Sequence, residues 1–153
     1  IANRRKALSF LEAEIGRAAV LEGSLCVAVL DIDRFKQIND RFGHAVGDQV
    51  IRRVAQVCAS AIRGTDLVGR IGGEEFLIVL PATSPEMAFA VAERVRRAVE
   101  AIDWEPLDLQ QVTVSMGLAS LSGNMDCAQL MARADRALYR AKDEGRNLLR
   151  EAG

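Results

Sequence analysis

The sequence predicts an α/β fold: a single-domain sandwich of ferredoxin-like or polymerase-palm type, with helices flanking a central, mostly antiparallel sheet of about five strands. Three observations carry that expectation. Stripes of apolar residues at helical spacing alternate with apolar runs too short to be helices. A Gly-Gly pair separates two such runs in mid-chain, which reads as a hairpin and makes the sheet at least partly antiparallel. Finally, 153 residues with 50% hydrophobic and 27% charged side chains suit one compact core rather than disorder or a repeat array.

Residues 3–20 read as the first helix, with Leu8, Leu11, Ile15 and Ala19 three or four apart, and Gly23-Ser24 breaks it. The run Leu25-Cys26-Val27-Ala28-Val29-Leu30 lacks helical polarity and marks a strand buried on both faces. Asp31 and Asp33 follow at once, a short helix is expected over 34–41, and Phe42-Gly43-His44 turns the chain. From 45 to 62, Val50, Ile51, Val54, Val57, Ala61 and Ile62 form the stripe of an amphipathic helix. Strands at 66–71 and 76–80 flank Gly72-Gly73, a turn expected to use glycine's tolerance of positive φ. Pro81 and Pro85 punctuate the next loop, and Met87, Val91, Val95, Val99 and Ile102 outline a further long helix. Residues 112–116 alternate like a strand with one face buried. Leu130, Ala134, Ala137, Leu138 and Ala141 give the last helix, which Gly145 stops as a C-terminal cap before a short strand at Asn147-Leu148-Leu149.

Lys plus Arg number 20 and Asp plus Glu 21, a net charge of −1. That balance gives no reason to coat nucleic acid or an anionic membrane, so any phosphate chemistry must come from local placement of charge. The longest apolar run, 25–30, is far too short to span a bilayer. Cys26, Cys58 and Cys127 are isolated and odd in number, as expected for reduced thiols rather than disulfides or a metal site. The chain opens on Ile1 with no signal-like segment, so residues 1–153 are expected to be one cytoplasmic domain excised from a longer protein, itself soluble or membrane-anchored.

The chemistry concentrates in two acidic clusters: Asp31 at the end of the first buried strand, and Glu74-Glu75 in the hairpin turn. Ferredoxin-like topology makes those strands neighbours, so three carboxylates are expected to converge on one edge of the sheet. Carboxylates that converge near phosphates hold Mg²⁺, a hard cation that prefers oxygen ligands. Asp33 reads first as the N-cap of the 34–41 helix and second as a ligand. A Gly-Gly-Glu-Glu turn taken alone could equally be a solvated loop.

The full string is more specific. Arg70-Ile71-Gly72-Gly73-Glu74-Glu75-Phe76, the block Asp31-Ile32-Asp33-Arg34-Phe35-Lys36-Gln37-Ile38-Asn39-Asp40 with Phe42-Gly43-His44 and Gly47-Asp48, and Ala137-Leu138-Tyr139-Arg140-Ala141-Lys142 with Gly145-Arg146-Asn147 keep a recurrent spacing. Together with Ile1-Ala2-Asn3-Arg4-Arg5 they resemble the GGDEF family, the diguanylate cyclases, in its Gly-Gly-Glu-Glu-Phe form. The Asp-x-Leu-Thr-Gly stretch that usually precedes Asn-Arg-Arg lies outside the sequence, which is expected to loosen the first helix and lower activity.

This resemblance implies an enzyme that joins two GTP into cyclic di-GMP and releases two pyrophosphates. It also implies Mg²⁺ or Mn²⁺, two ions per GTP half-site, and a homodimer in which each protomer supplies one half-site. Asp31 and Glu74 would ligate metal through their side chains and Ile32 through its backbone carbonyl. Glu75 would bind the second ion, act as general base on the 3′-hydroxyl, or both. Lys36 would neutralise charge developing at the phosphate, beside Phe35 and the helix-opening backbone N–H groups of 33–36. Gly72 and Gly73 would let the backbone lie against the triphosphate, whose tail Lys142 and Arg146 would hold; Lys142 also reads as a favourable charge at a helix C-terminus. Asp48 would accept from guanine N1–H and N2–H₂, with the Asn39 amide beside it. His44 either touches the nucleotide or caps the turn.

Arg63 and Asp66 match the family's inhibitory Arg-x-x-Asp site for cyclic di-GMP, where an Arg fork reads guanine O6 and N7, and Arg94 is a further candidate contact. The plain alternative for this pair is a helix end and a turn residue. No nucleic acid and no direct membrane contact are expected. The alternative function is a catalytically silent module that binds GTP or cyclic di-GMP. Such a module is expected to lose a metal carboxylate or a loop glycine, and this chain keeps them all.

Overall fold

The computed structural model describes residues 1–153 as ten elements. They run α1 (Arg4–Leu21), β1 (Leu25–Ile32), α2 (Phe35–Phe42), α3 (His44–Ser60), β2 (Leu67–Arg70), β3 (Glu75–Pro81), α4 (Pro85–Glu100), β4 (Val114–Ser120), α5 (Cys127–Asp143) and β5 (Leu149–Glu151). The strand order is β2-β3-β1-β4-β5. All neighbours are antiparallel except β4 and β5, so the four-stranded ferredoxin-like arrangement carries one extra parallel edge strand.

Side chains alternate across a strand, and here each face has its own core. On β1, Cys26, Ala28, Leu30 and Ile32 pack with Val50, Val54 and Cys58 of α3 and Ala88, Ala92, Val95 and Val99 of α4. Leu25, Val27 and Val29 face the other way, onto Ala7 and Leu11 of α1 and Leu130, Ala134 and Leu138 of α5. This double cover explains why β1 is buried along its whole length. Asp31 falls in the odd-numbered set, so the alternation aims it to the side of α1 and α5.

α1 is a capped helix: the Asn3 side chain accepts from the Lys6 N–H at 2.9 Å. Several expectations need correction. β4 begins at Val114 rather than 112 and is buried on both faces, because α4 covers one face of the sheet there and α5 the other. The inward stripe of α4 is Ala88, Ala92, Val95 and Val99, while Met87 is 57% exposed. Gly72 and Gly73 do not use positive φ; Gly43, Gly123 and Gly145 do. Asp33 is not the cap of α2, since that position is Arg34, whose side chain makes no capping bond. The three cysteines are free, and burial pushes the Cys58 thiol up to about 12.

Candidate active site at the rim of β1 and β3

Antiparallel register sets Asp31 directly opposite Glu75, both on the sheet face that α5 covers. α5 can come this close because of Gly117 on β4: a Cβ there would stand 2.1 Å from the Ala134 carbonyl oxygen and 2.4 Å from the Leu138 nitrogen. The helix therefore lies flush on the sheet and delivers Lys142 to the rim, where Nζ donates to Asp31 Oδ2 at 2.8 Å. Burial, then the Asp31 charge, push the Glu75 carboxyl above the usual carboxylate range, with Asp135 adding and Lys142 opposing. Two carboxylates thus share one ammonium.

Glu74 adjoins this pair at the end of the turn. Its carbonyl accepts from the Ile32 N–H at 3.2 Å, but no three His, Cys, Asp or Glu side chains of the chain stand together as a metal cluster. Of the three carboxylates expected at this rim, Asp31 and Glu75 lie opposite each other in β1 and β3, and Glu74 belongs to the turn one residue earlier. That pair still fits Mg²⁺, which is commonly bound by one or two carboxylates plus substrate phosphates rather than by a complete protein cage.

The turn between β2 and β3 is braced at several points. Arg70 Nε donates to the Gly72 and Gly73 carbonyls at 3.2 and 3.1 Å, and Arg4 Nη1 donates to the Ile71 carbonyl at 2.8 Å. A Cβ at Gly72 would meet Glu75 Cβ at 3.3 Å and Oε2 at 3.4 Å, whereas one at Gly73 would meet nothing within 4 Å. Glycine 72 makes room for the Glu75 side chain, and glycine 73 leaves the turn surface bare. Sequence reasoning gave no role to Arg4 or Arg70 here.

Beside this rim, α2 and α3 bring Asn39 and Asp48 into one neighbourhood. A Cβ at Gly47 would fall 1.8 Å from Asn39 Oδ1, so the Asn39 amide lies against the helix turn that carries Asp48. Asn39 Oδ1 is buried without a hydrogen-bond partner in the protein. Lys36, His44 and Asp48 are exposed and Phe35 is half-buried. The Asp33 N–H is taken by the Thr113 carbonyl at 2.9 Å and is not free for a ligand; the first-turn N–H groups of α2 lack intrahelical partners. Arg146 is exposed, four residues beyond Lys142.

The expected inhibitory pair is turned on itself. Asp66 accepts from Arg63 Nε at 3.2 Å, Nη2 at 3.0 Å and backbone N at 2.9 Å, and its side chain is 1% exposed. Arg63 Nη2 also reaches the Pro81 carbonyl and Thr83 Oγ1, at 3.0 and 2.7 Å, yet the Arg63 side chain remains 52% exposed. Arg94 Nη2 donates to the Ala61 carbonyl at 2.6 Å, near the same loop.

Residues 1–148 match the family described as "Diguanylate cyclase, GGDEF domain". The chain belongs to the GGDEF family. Diguanylate cyclase DgcP of Pseudomonas aeruginosa is 43% identical over 154 residues, which is 98% of this chain and 22% of DgcP. The chain spans about a third or less of the curated relatives it matches. Among solved GGDEF structures, that of DgcB from Caulobacter crescentus in complex with c-di-GMP superposes with a TM-score of 0.95 at 36% identity, over 99% of this chain and 89% of that one. The active GGEEF domain of a diguanylate cyclase from Vibrio cholerae gives 0.94 at 38% identity, over 99% and 97%. These GGDEF neighbours match the α/β sandwich and its five-stranded sheet. No helix of the chain is long and apolar enough to cross a membrane.

Proposed function

We propose that this GGDEF domain is a diguanylate cyclase that condenses two GTP into cyclic di-GMP and two pyrophosphates. The observation that carries the reading is the facing pair Asp31 and Glu75 with Lys142 bonded to Asp31. In each half-reaction a 3′-oxygen forms a bond to the α-phosphorus of the other nucleotide, and the bond from that phosphorus to pyrophosphate breaks. Glu75 takes the hydroxyl proton, a role helped by an affinity for protons raised above that of an ordinary glutamate. Asp31, Glu74, Glu75 and the Ile32 carbonyl would hold Mg²⁺ or Mn²⁺, which polarises the phosphate and acidifies the attacking hydroxyl.

Lys142, Arg146 and Lys36 offset the charge of the triphosphate, and bare Gly73 lets it approach the turn. Asp48 accepts from the guanine N1–H and N2–H₂ edge, and Asn39 Oδ1 gains the partner it lacks. One protomer holds one GTP, so reaction requires a second protomer facing the first about a two-fold axis. Product binds at Arg63, whose half-exposed guanidinium must release its bonds to Asp66 to offer a fork to guanine O6 and N7.

The test is incubation of the domain, at concentrations that favour pairing, with GTP and Mg²⁺, quantifying cyclic di-GMP beside Glu75→Gln. Product from the parent and a loss of about 100-fold or more in the variant is the expected result. GTP binding without product would turn the reading to a silent nucleotide receptor.

A further inference from the structure

Asp33, expected at the sequence level to cap α2, does something else. Its side chain is turned into the protein, the residue is 8% exposed, and it draws three separate segments together. Oδ1 accepts from Ser115 Oγ at 2.6 Å, and Oδ2 accepts from Thr113 Oγ1 at 2.7 Å and from the Asn147 backbone N–H at 3.0 Å. These donors sit at the entry of β4 and in the turn from α5 to β5.

That turn is unusual. Gly145, Arg146 and Asn147 have φ of +128°, +63° and +49°, three consecutive residues in a region that side chains other than glycine avoid. Such a conformation persists only where its surroundings fix it. Here the Arg146 N–H donates to the Ala141 carbonyl at 2.9 Å, and the Asn147 N–H is held by Asp33. The Asn147 side chain is pinned from α4: Oδ1 accepts from Arg96 Nη1 at 2.8 Å, and Nδ2 donates to the Glu100 carboxylate. The residue at the centre of this clamp, Arg146, is itself exposed.

We infer that Asp33 is a positioning residue, which with Asn147 locks the left-handed turn and thereby presents Arg146 to the triphosphate of GTP. The inference rests on the proposed function, because it takes Arg146 to be a triphosphate contact. Asp33 does not meet substrate; both oxygens are committed to protein donors. Its effect on GTP therefore passes through Arg146, and removing Arg146 must remove that effect.

The experiment measures the GTP dissociation constant in Mg²⁺ for the parent, Asp33→Asn, Arg146→Ala and the double variant, with amide exchange of Asn147 read without nucleotide. In Asp33→Asn one acceptor oxygen becomes an NH₂ group. The expected result is an Asn147 amide protected in the parent and exposed in Asp33→Asn, with GTP bound about tenfold more weakly. In the Arg146→Ala background the same change costs less than about twofold, the non-additivity expected of residues that act as a unit. Asn147→Ala, which cuts the ties to α4 without touching β1, is expected to show the same Arg146-dependent loss and carries the test if Asp33→Asn does not fold. Parent-like GTP affinity in the foldable variant, or equal losses with and without Arg146, overturns the positioning role. A parent that binds no GTP overturns instead the reading of the rim as a GTP site, while the exchange of Asn147 still reports whether Asp33 holds the turn.

Discussion

Lys142 and Asp31 are 111 positions apart in the chain and meet at 2.8 Å. The contact ties the end of α5 to the end of β1, and with Glu75 opposite Asp31 it leaves two carboxylates facing one ammonium. Lys142→Met removes that ammonium and leaves a buried carboxylate without its cation. The expected cost is about 1 kcal/mol, or a drop of about 3 °C in Tm without divalent ions, with a gain on adding Mg²⁺ that exceeds the parent's. Thermal unfolding with and without Mg²⁺ checks this; a variant as stable as the parent in both conditions would speak against the charge balance described.

Glu75 predicts a pH dependence. Its carboxyl binds protons more tightly in the folded protein than in the unfolded chain, with burial the first cause and Asp31 the second. The folded state therefore holds more protons in the window above the ordinary glutamate value of 4.5, and stability falls as pH rises through that window. Glu75→Gln has no such group to ionise, so without metal it is expected to melt higher than the parent at neutral pH. The difference shrinks on acidification below the ordinary value. Melting curves of both proteins across pH 4 to 8, an interval of about four units around the ordinary carboxylate range, give the measurement.

Two glycines separate folding from function. A Cβ at Gly117 meets backbone atoms of α5 at 2.1 and 2.4 Å, so Gly117→Ala is expected to cost about 3 kcal/mol or more in urea unfolding. Gly73→Ala meets nothing within 4 Å, and is expected to change stability by less than about 1 kcal/mol while weakening GTP turnover about tenfold or more. A Gly73→Ala variant with parental turnover would show that the triphosphate does not lie on the turn.

What the sequence disclosed follows from distance along the chain. The convergence of Asp31 with the Glu74-Glu75 turn was legible because an unbroken apolar run and a tight turn mark the strands locally, and ferredoxin-like topology then makes those strands neighbours. The work of Asp33 was not, since its partners lie 80, 82 and 114 positions away and nothing nearby distinguishes it from a helix cap. On α4 Val95 and Val99 were read correctly, but the first two positions of the stripe were read one residue out, because the helix turns Ala88 and Ala92 inward, small residues that a search for large apolar side chains passes over in favour of Met87 and Val91. Val112 is 3% exposed and looked like strand, although β4 begins two residues later. The Gly72-Gly73 turn was expected to need positive φ; it needs the space beside Glu75.

Arg63 is expected to serve structure as well as regulation. Its side chain supplies two of the bonds to Asp66, whose own side chain is 1% exposed, so Arg63→Ala should destabilise the domain by about 1–3 kcal/mol. The same variant should lose inhibition by added cyclic di-GMP while its initial velocity stays near that of the parent. Titration of product into steady-state assays checks this; equal sensitivity in both proteins would remove Arg63 from the inhibitory site.

On the function proposed, the carboxylates of Asp31 and Glu75 are the apparatus of GTP condensation. The most direct measurement counts both products, cyclic di-GMP and pyrophosphate, formed from GTP and Mg²⁺ by the parent, Asp31→Asn and Glu75→Gln. The expected result is two pyrophosphates for each cyclic di-GMP in the parent and a fall of about 100-fold or more in each variant, with folding preserved. Parental rates in either folded variant, or a parent that releases inorganic phosphate in place of pyrophosphate, would contradict it.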